Sequence, residues 1–177
     1  MLIKKYNCLN FVLAGLESQS IKLNIEALNT LNNIVNDNNQ EIFQILIDKK
    51  IMVKIIELSK SFTPVLVSNS IGILNDIIIR SDCVIAETLS SIGIVDVLMD
   101  IIAKNFDDNI IDKALDGIYY LLTKDKIIRN NEKKFYTQME HKGGKELFEK
   151  IILKSNNKTI SEKAGILVDT FFGFPKN

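Results

Sequence analysis

The sequence is poor in the residues that carry catalysis, crosslinking or metal binding. Its 177 residues include no tryptophan, one histidine (His141) and two cysteines (Cys8 and Cys83). The cysteines show no CxxC spacing and are too few for a disulfide framework, so a reduced intracellular compartment is expected. His141 has no Cys or His partner in sequence, and no Ser/His/Asp or Cys/His arrangement is present. The sequence therefore predicts no enzyme, no metal site and no cofactor.

The sequence also lacks net charge and long apolar runs. Lysine plus arginine number 22 and aspartate plus glutamate number 22, which removes the electrostatic argument for nucleic acid or an anionic membrane. No run reaches the 18 or more apolar residues of a membrane span, and asparagines interrupt the apolar start "MLIKKYNCLNFVL", which makes it a poor secretory signal. We expect neither a nucleic-acid partner nor a membrane partner.

What the sequence does contain is helical periodicity. Only two prolines occur, so long stretches can form helices, and four of these carry an apolar stripe with helical spacing. The stripes are Leu23, Ala27, Leu28, Leu31, Ile34 and Val35; Ser70, Ile71, Leu74, Ile77 and Ile78; Ile110, Ile111, Ala114, Leu115, Ile118, Leu121 and Leu122; and Ile160, Ala164, Val168, Phe171 and Phe172. The β-branched run at 77–79 would suit a strand, but sustained two-residue alternation and hairpin turn signals are missing.

Helix-start signals accompany two of these stripes. Thr63 and Pro64 suit the N-cap and the first helical position, and Thr159 with Glu162 predicts a capping box. The pair Asp107–Asp108 is typical of a solvated helix start, where negative charge favours the helix dipole.

Two sets of markers repeat along the chain. The small residue at the centre of each stripe is Ala27, Ser70, Ala114 or Ala164, at intervals of 43, 44 and 50 residues. Breaks before an apolar helix, at Lys50, Gly93 and Gly143, follow the same spacing, with intervals of 43 and 50. A period of about 40–47 residues is typical of armadillo and HEAT repeats. We predict an all-α, armadillo-type right-handed α-solenoid of about four three-helix repeats. It would form a single domain over residues 1–177, with repeats at 21–62, 63–106 and 107–156 and partial repeats at 1–20 and 157–177.

The segment "HKGGK" (141–145) and the run "TKDKIIRNNEKK" (123–134) are interpreted within this repeat. The two glycines are expected to form a bend between the second and third helices of a repeat, because glycine adopts positive φ without a Cβ penalty. A phosphate-binding loop would need G-x-x-x-x-G-K-[ST] after a strand, and neither is present. The mildly basic run is expected to be an exposed loop between helices.

The C-terminal half resembles the importin α family. The segments "GIVDVLMDIIAKNFDDNIIDKALDGIYYLL" and "YTQMEHKGGKELFEKIILKSNNKTISEKAGILVDTFFG" are similar to the last armadillo repeats of that family, with Asp116, Gly143–Gly144, Glu149 and Phe171–Phe172 at matching positions. The resemblance covers roughly residues 7–173. It implies a protein-binding module in nuclear protein import, present in cytoplasm and nucleus. Its partners would be basic localisation-signal peptides, the export receptor that recycles importin α, or nuclear-pore proteins.

The resemblance also implies a peptide-binding site, which in the importin α family lies on the third helix of each repeat. There an acidic residue, a tryptophan and an asparagine form a ladder that holds lysine side chains and the peptide backbone. The corresponding positions are Glu26, Asn29 and Asn33; Asn69, Gly72 and Asp76; and Lys113, Asp116 and Tyr120. Glu26 and Asn33 keep the motif and Asp76 keeps its polarity, whereas the stacking tryptophans are missing.

Two alternatives stay open at this point. The short end "GFPKN" replaces the acidic tail of that family, so the chain is either a fragment of a longer adaptor or a divergent stand-alone protein, and the apolar start, an awkward polar cap, favours the fragment. The second functional hypothesis is another armadillo scaffold, similar to the small Hsp70 nucleotide-exchange co-chaperones, which would bind a folded lobe instead of an extended peptide.

Overall fold

The computed structural model describes residues 2–36, 39–104, 107–127 and 133–173, with side chains from residue 8 onward. Within these ranges the chain forms eleven α-helices and a closing π-helical turn, and no strand. The helices are α1 (Leu2–Leu16), α2 (Ile21–Val35), α3 (Gln40–Asp48), α4 (Ile51–Leu58), α5 (Pro64–Arg80), α6 (Cys83–Ser91), α7 (Ile94–Ala103), α8 (Asp108–Ile127), α9 (Lys134–His141), α10 (Gly144–Lys154) and α11 (Lys158–Leu167), and the π-helical turn is Val168–Phe172.

The order of helix lengths repeats. Each of the long helices α2, α5 and α8 is followed by two shorter helices, and α11 begins a further set. The two short helices of each set meet at a residue in the left-handed region: Lys50 (φ 58), Gly93 (φ 99) and Gly143 (φ 68). The predicted bend at "HKGGK" is therefore confirmed, and Lys50 makes the same turn without a glycine.

The helix starts agree only partly with the sequence signals. Pro64 begins α5 as expected, but the Thr63 side chain makes no capping hydrogen bond. The predicted Thr159–Glu162 capping box is wrong, because α11 starts two residues earlier and the Asn157 side chain accepts hydrogen bonds from the Thr159 and Ile160 backbone N–H groups, at 3.1 and 3.5 Å. Asparagine is among the best N-cap residues, so it takes this position from threonine.

Residues 1–92 form one compact unit, in which α1 and α2 pack closely. An added Cβ on Gly15 would lie 2.9 Å from the Ala27 Cβ, which explains why both positions carry small residues. Asn24 is buried, and its Nδ2 donates to the carbonyl oxygens of Gly15, Leu16 and Ser18 at 2.8, 3.1 and 3.0 Å. These carbonyls lie at and just beyond the end of α1, where the helix supplies few N–H partners of its own.

Asn24 also corrects the predicted stripe of α2. Leu23, which we expected to be buried, is 53% exposed, and Asn24 takes the inward position. Ala27, Leu28, Leu31 and Val35 are buried as predicted. The stripe is displaced at its first turn because the end of α1 needs hydrogen-bond donors there more than it needs another apolar side chain.

The same unit contains α5, which packs against α2 and α4. All five predicted stripe residues of α5 are buried, including Ser70. At the C-terminal end of α5, the Gln40 side chain donates from Nε2 to the Arg80 carbonyl at 2.7 Å and accepts from the Asp82 N–H at 3.0 Å. One amide from α3 thus links α5 to α6.

Residues 93–177 form the second compact unit, in which α8 packs against α7, α9 and α11. The seven predicted stripe residues of α8 are buried, and Ala114 and Ala164 are both 0% exposed. The prediction of a single domain over residues 1–177 stays a prediction.

The predicted exposed loop at 123–134 is wrong for residues 123–127 and for Lys134, which lie in helices, whereas Lys133 is exposed outside any helix. Thr123–Ile127 complete α8, and Lys124 and Asp125 are only 9% exposed. Asp125 accepts hydrogen bonds from the backbone N–H groups of Phe135 (3.2 Å) and Tyr136 (2.7 Å), so it caps α9 from another helix. Residues 128–132 of this run lie outside the described residues.

Candidate peptide-binding face

The residues of the implied ladder all lie on long helices. On α2, the spacing of Glu26, Asn29 and Asn33 places them on one face of the helix, and all three side chains are exposed. No hydrogen bond or ion pair engages the Glu26 carboxylate among the described residues. This face of α2 therefore offers one negative charge and two amides to a partner.

On α5, the corresponding residues are more enclosed. Asn69 and Asp76 are half-buried, and an added Cβ on Gly72 would meet no heavy atom within 4 Å. Gly72 corresponds to a stacking tryptophan position in the importin α resemblance, and the space beside it on α5 is open. Asp76 lies 3.7 Å from Arg80, whose Nη1 donates to the Asn36 carbonyl at 2.8 Å. Arg80 holds the end of α5 to the end of α2 and offsets part of the Asp76 charge.

On α8, Asp116 and Tyr120 line one groove together with residues of α11. The groove has a volume of about 260 Å³, and we call it the α8–α11 groove. Its principal lining residues are Leu115, Asp116, Tyr119, Tyr120, Lys163 and Ile166. Tyr119, Tyr120 and Ile166 are 38%, 37% and 50% exposed, so an apolar surface is open to solvent here. Lys113, on the same helix, is half-buried.

The two tyrosines are held in place by ring contacts. The rings of Tyr119 and Tyr120 meet edge to face, with centroids 5.7 Å apart and planes at 84°. Tyr119 makes a second edge-to-face contact with Phe171, at 5.8 Å and 77°. Such pairs are favoured by the ring quadrupole, and they restrict side-chain rotation. The groove therefore presents partly fixed aromatic surfaces.

A charge cluster lies at the edge of the same groove. Lys163 Nζ lies 2.7 Å from Asp112 Oδ1 and 2.8 Å from Asp116 Oδ1. Burial lowers the pKa of Lys163, but its hydrogen bonds to Asp112 and Asp116 and their charges outweigh this effect, so the pKa lies above its usual value of 10.5. Lys163 stays protonated at neutral pH, and two carboxyl groups share its one ammonium group.

This arrangement suits a cationic side chain. The methylene stem of a lysine or arginine can lie against tyrosine rings while its charge reaches a carboxylate. The groove provides both kinds of surface within one helix pair.

Sequence reasoning found Asp116 and Tyr120 and missed their neighbours. Lys163 and Ile166 belong to the site because α11 packs beside α8, Asp112 joins it through its ion pair with Lys163, and Tyr119 is oriented by Phe171. A signal for two of them was present in the repeat. The alignment of Ala164 with Ala114 makes Lys163 and Ile166 equivalent to Lys113 and Asp116, so extending the ladder to the fourth repeat would have included them.

The same described ranges show neither a metal-binding cluster nor a membrane-spanning helix. They contain no group of three or more His, Cys, Asp and Glu side chains placed to hold a metal ion. His141 is exposed at the end of α9. No helix in the described ranges is both long and apolar enough to span a membrane.

Comparisons with known proteins identify the fold. No family model matches the chain, and no curated protein matches it. A designed armadillo repeat protein in complex with the peptide (KR)4 matches with a TM-score of 0.74 and 17% identity over 90% of this chain. A second designed armadillo repeat protein matches with a TM-score of 0.73 and 18% identity over 90% of this chain. This chain spans 62% and 63% of the lengths of those two proteins.

A third structure, of computationally designed armadillo repeat proteins for modular peptide recognition, matches with a TM-score of 0.57 and 14% identity, over 90% of this chain and 80% of that one. These likenesses confirm the predicted all-α armadillo fold class. They define the class of fold and do not distinguish importin α from other armadillo proteins.

Proposed function

We propose that this chain is a protein-binding armadillo module, not an enzyme, and that its long-helix face binds Lys/Arg-rich peptide segments. The observation that carries the proposal is the α8–α11 groove, where Asp116, Tyr119 and Tyr120 place a carboxylate beside two aromatic rings. In the unit of residues 1–92, the exposed Glu26, Asn29 and Asn33 of α2 offer a separate polar face with one carboxylate.

Physical considerations support a basic ligand of modest affinity. A cation over a tyrosine ring at an exposed site contributes about 0.5–1 kcal/mol, and an exposed ion pair contributes about 0.2–1 kcal/mol. One subsite of this kind gives weak binding, so affinity would depend on several subsites along the peptide. The armadillo protein crystallised with (KR)4 supports the idea that this fold can present a face to alternating lysine and arginine.

A finer proposal concerns the cellular process in which the module acts. Together with the resemblance to the last repeats of importin α, a basic-peptide groove supports a role in nuclear protein import, with the protein present in cytoplasm and nucleus. In this role the module would contact localisation signals weakly and would also contact the export receptor or nuclear-pore proteins.

The test is a fluorescence-polarisation titration of a labelled Lys/Arg-rich peptide at low and at physiological salt. We expect saturable binding that weakens with salt, because exposed charges are screened. Asp116→Asn and Tyr120→Ala should each weaken binding about twofold to fivefold, given the magnitudes of exposed ion pairs and cation–π contacts.

A matched control removes the same charge elsewhere in the second unit. Asp100 is exposed on α7 and lies 3.6 Å from Lys104, so Asp100→Asn should leave peptide affinity unchanged. The proposal is wrong if the peptide does not bind at either salt concentration, or if Asp116→Asn has no more effect than Asp100→Asn. Binding of an Hsp70 lobe in place of the peptide would favour the co-chaperone hypothesis.

A further inference from the structure

A second pocket opens in the unit of residues 93–177, between the end of α8, the start of α9 and the π-helical turn. Its volume is about 190 Å³, and Asp125, Lys126, Lys133, Tyr136, Thr170 and Phe171 line it. We call it the lysine pocket. It shares no lining residue with the α8–α11 groove. Its charge balance is also different, since two lysines and one aspartate line it.

Both lysines are held on aromatic rings. Lys126 Nζ lies 4.5 Å from the centroid of the Phe171 ring, and Lys133 Nζ lies 5.5 Å from that of Tyr136. A ring attracts an ammonium group through its quadrupole but does not neutralise its charge. Among the described residues, no carboxylate lies within 4 Å of either ammonium group. The lysine pocket thus contains two positioned positive charges that remain available to a ligand.

The acid in the pocket does not neutralise these lysines. The Asp125 carboxylate accepts hydrogen bonds from the N–H groups of Phe135 and Tyr136, at 3.2 and 2.7 Å, and so caps α9. The nearby Glu140 carboxylate accepts from the Tyr136 hydroxyl at 2.8 Å. That hydrogen bond, burial and the Glu140 charge together raise the pKa of Tyr136 above 10.0, so the hydroxyl remains a donor to Glu140. Each acid has a partner other than the two lysines.

We propose that the lysine pocket binds an anionic side chain of a protein partner, a carboxylate or a phosphoryl group. The volume suits one side chain, and Thr170 adds a polar residue to the lining. This inference goes beyond the proposed function, because its ligand has the opposite charge and binds through different residues.

The ring contacts favour a peptide over a nucleic acid. Single-stranded nucleic acids bind such surfaces by stacking bases on aromatic rings. Here an ammonium group covers a face of Phe171 and of Tyr136, and Tyr136 also packs on Phe172, with centroids 5.0 Å apart at 30°. A base would have to displace these contacts, whereas an anionic side chain adds to them.

The test uses the full chain and three labelled peptides of equal length, with a Glu-Asp core, a phosphoserine core and a Ser-Ala core. We expect saturable binding of at least one acidic peptide in fluorescence polarisation, weakening with salt, and no saturable binding of the neutral peptide. The two acidic peptides distinguish a carboxylate from a phosphoryl ligand. A Lys/Arg-rich peptide in excess should not displace the acidic peptide, which separates this proposal from the preceding one.

The decisive variant is Lys126→Gln with Lys133→Gln, which removes both charges and keeps polar side chains. We expect binding at least about fivefold weaker, in line with the loss of two exposed ion pairs. Its control is Lys22→Gln with Lys60→Gln, which removes the same charge from exposed positions outside the pocket and should change binding less than twofold. Equal effects of the two double variants would overturn the proposal, as would an RNA oligonucleotide that displaces the acidic peptide at equal concentration.

Discussion

Lys50 occupies a backbone conformation that costs stability. Its φ of 58° lies in the left-handed region, where the equivalent positions carry Gly93 and Gly143. Its backbone N–H donates to the Ile47 carbonyl at 2.8 Å, and its carbonyl accepts from the Lys54 N–H at 3.3 Å. A glycine would keep both bonds. We predict that Lys50→Gly stabilises the protein.

The magnitude follows from two opposing terms. A non-glycine residue in the left-handed region costs about 1–2 kcal/mol, and glycine loses about 0.5–1 kcal/mol more backbone entropy on folding. The net stabilisation should be about 0–1.5 kcal/mol. Gly93→Ala tests the reverse change, because the nearest atom to an added Cβ, Asp96 Oδ2, is 3.7 Å away and makes no clash. It should destabilise by about 1 kcal/mol.

The assay is urea denaturation followed by circular dichroism at 222 nm. We expect the midpoint to rise for Lys50→Gly and to fall for Gly93→Ala, with unchanged slopes. Lys60→Gly is the control, because Lys60 is exposed in a turn and does not have positive φ, so glycine there only adds entropy cost. If Lys50→Gly and Lys60→Gly shift the midpoint in the same direction, the backbone explanation of the repeat markers is refuted.

Three further predictions concern single contacts. Lys163→Gln should tighten Lys/Arg-peptide binding about twofold to fivefold, because it removes a cation that competes with the peptide for Asp112 and Asp116. Weaker peptide binding by this variant would contradict the prediction. Asn24→Ala should lower the free energy of unfolding in urea by about 1–3 kcal/mol, because the buried amide serves three carbonyls, and a loss near zero would show that water replaces it. Tyr136 should ionise above pH 10.0 in absorbance titrations at 295 nm, and Tyr136→Phe should remove this late component. Since the folded protein holds that proton more tightly, the stability from its bond to Glu140 is present below pH 10.0 and is lost as pH rises through the raised pKa.

The repeat was predictable because its markers have strict physical requirements. Ala27, Ser70, Ala114 and Ala164 are each at most 6% exposed, and Ala27 lies against Gly15 of α1, where a larger side chain would not fit. Positive φ at Gly93 and Gly143 likewise needs glycine for its conformational freedom. Lys50, by contrast, was aligned with Gly93 and Gly143 by the repeat spacing alone, because a lysine does not indicate positive φ.

The errors arose where a contact from another helix decides the outcome. Asn24 is inward, and Leu23 outward, because the end of α1 needs donors. Asp125 is buried within a charged run because it caps α9, ten residues further along the chain. Local periodicity contains no information about such partners, so the sequence predicted a buried leucine and an exposed loop instead.

In the candidate site, too, some residues were predictable from the sequence and others depend on tertiary packing. The repeat spacing and the resemblance selected Asp116 and Tyr120 from α8. Lys163 and Ile166 join them through the packing of α11 on α8, and Tyr119 is oriented by its contact with Phe171. The composition of the groove therefore depends on tertiary contacts, whereas the choice of helix was already evident from the repeat.

The most direct test of a basic-peptide face on the long helices is a titration of the ¹⁵N-labelled chain with an unlabelled Lys/Arg-rich peptide, followed by amide chemical shifts. We predict that the largest saturable changes fall at Asp116, Tyr119, Tyr120 and Ile166. Changes centred on the exposed side of α10, around Leu153 and Lys154, with the α8–α11 groove unaffected, would contradict a binding face on the long helices.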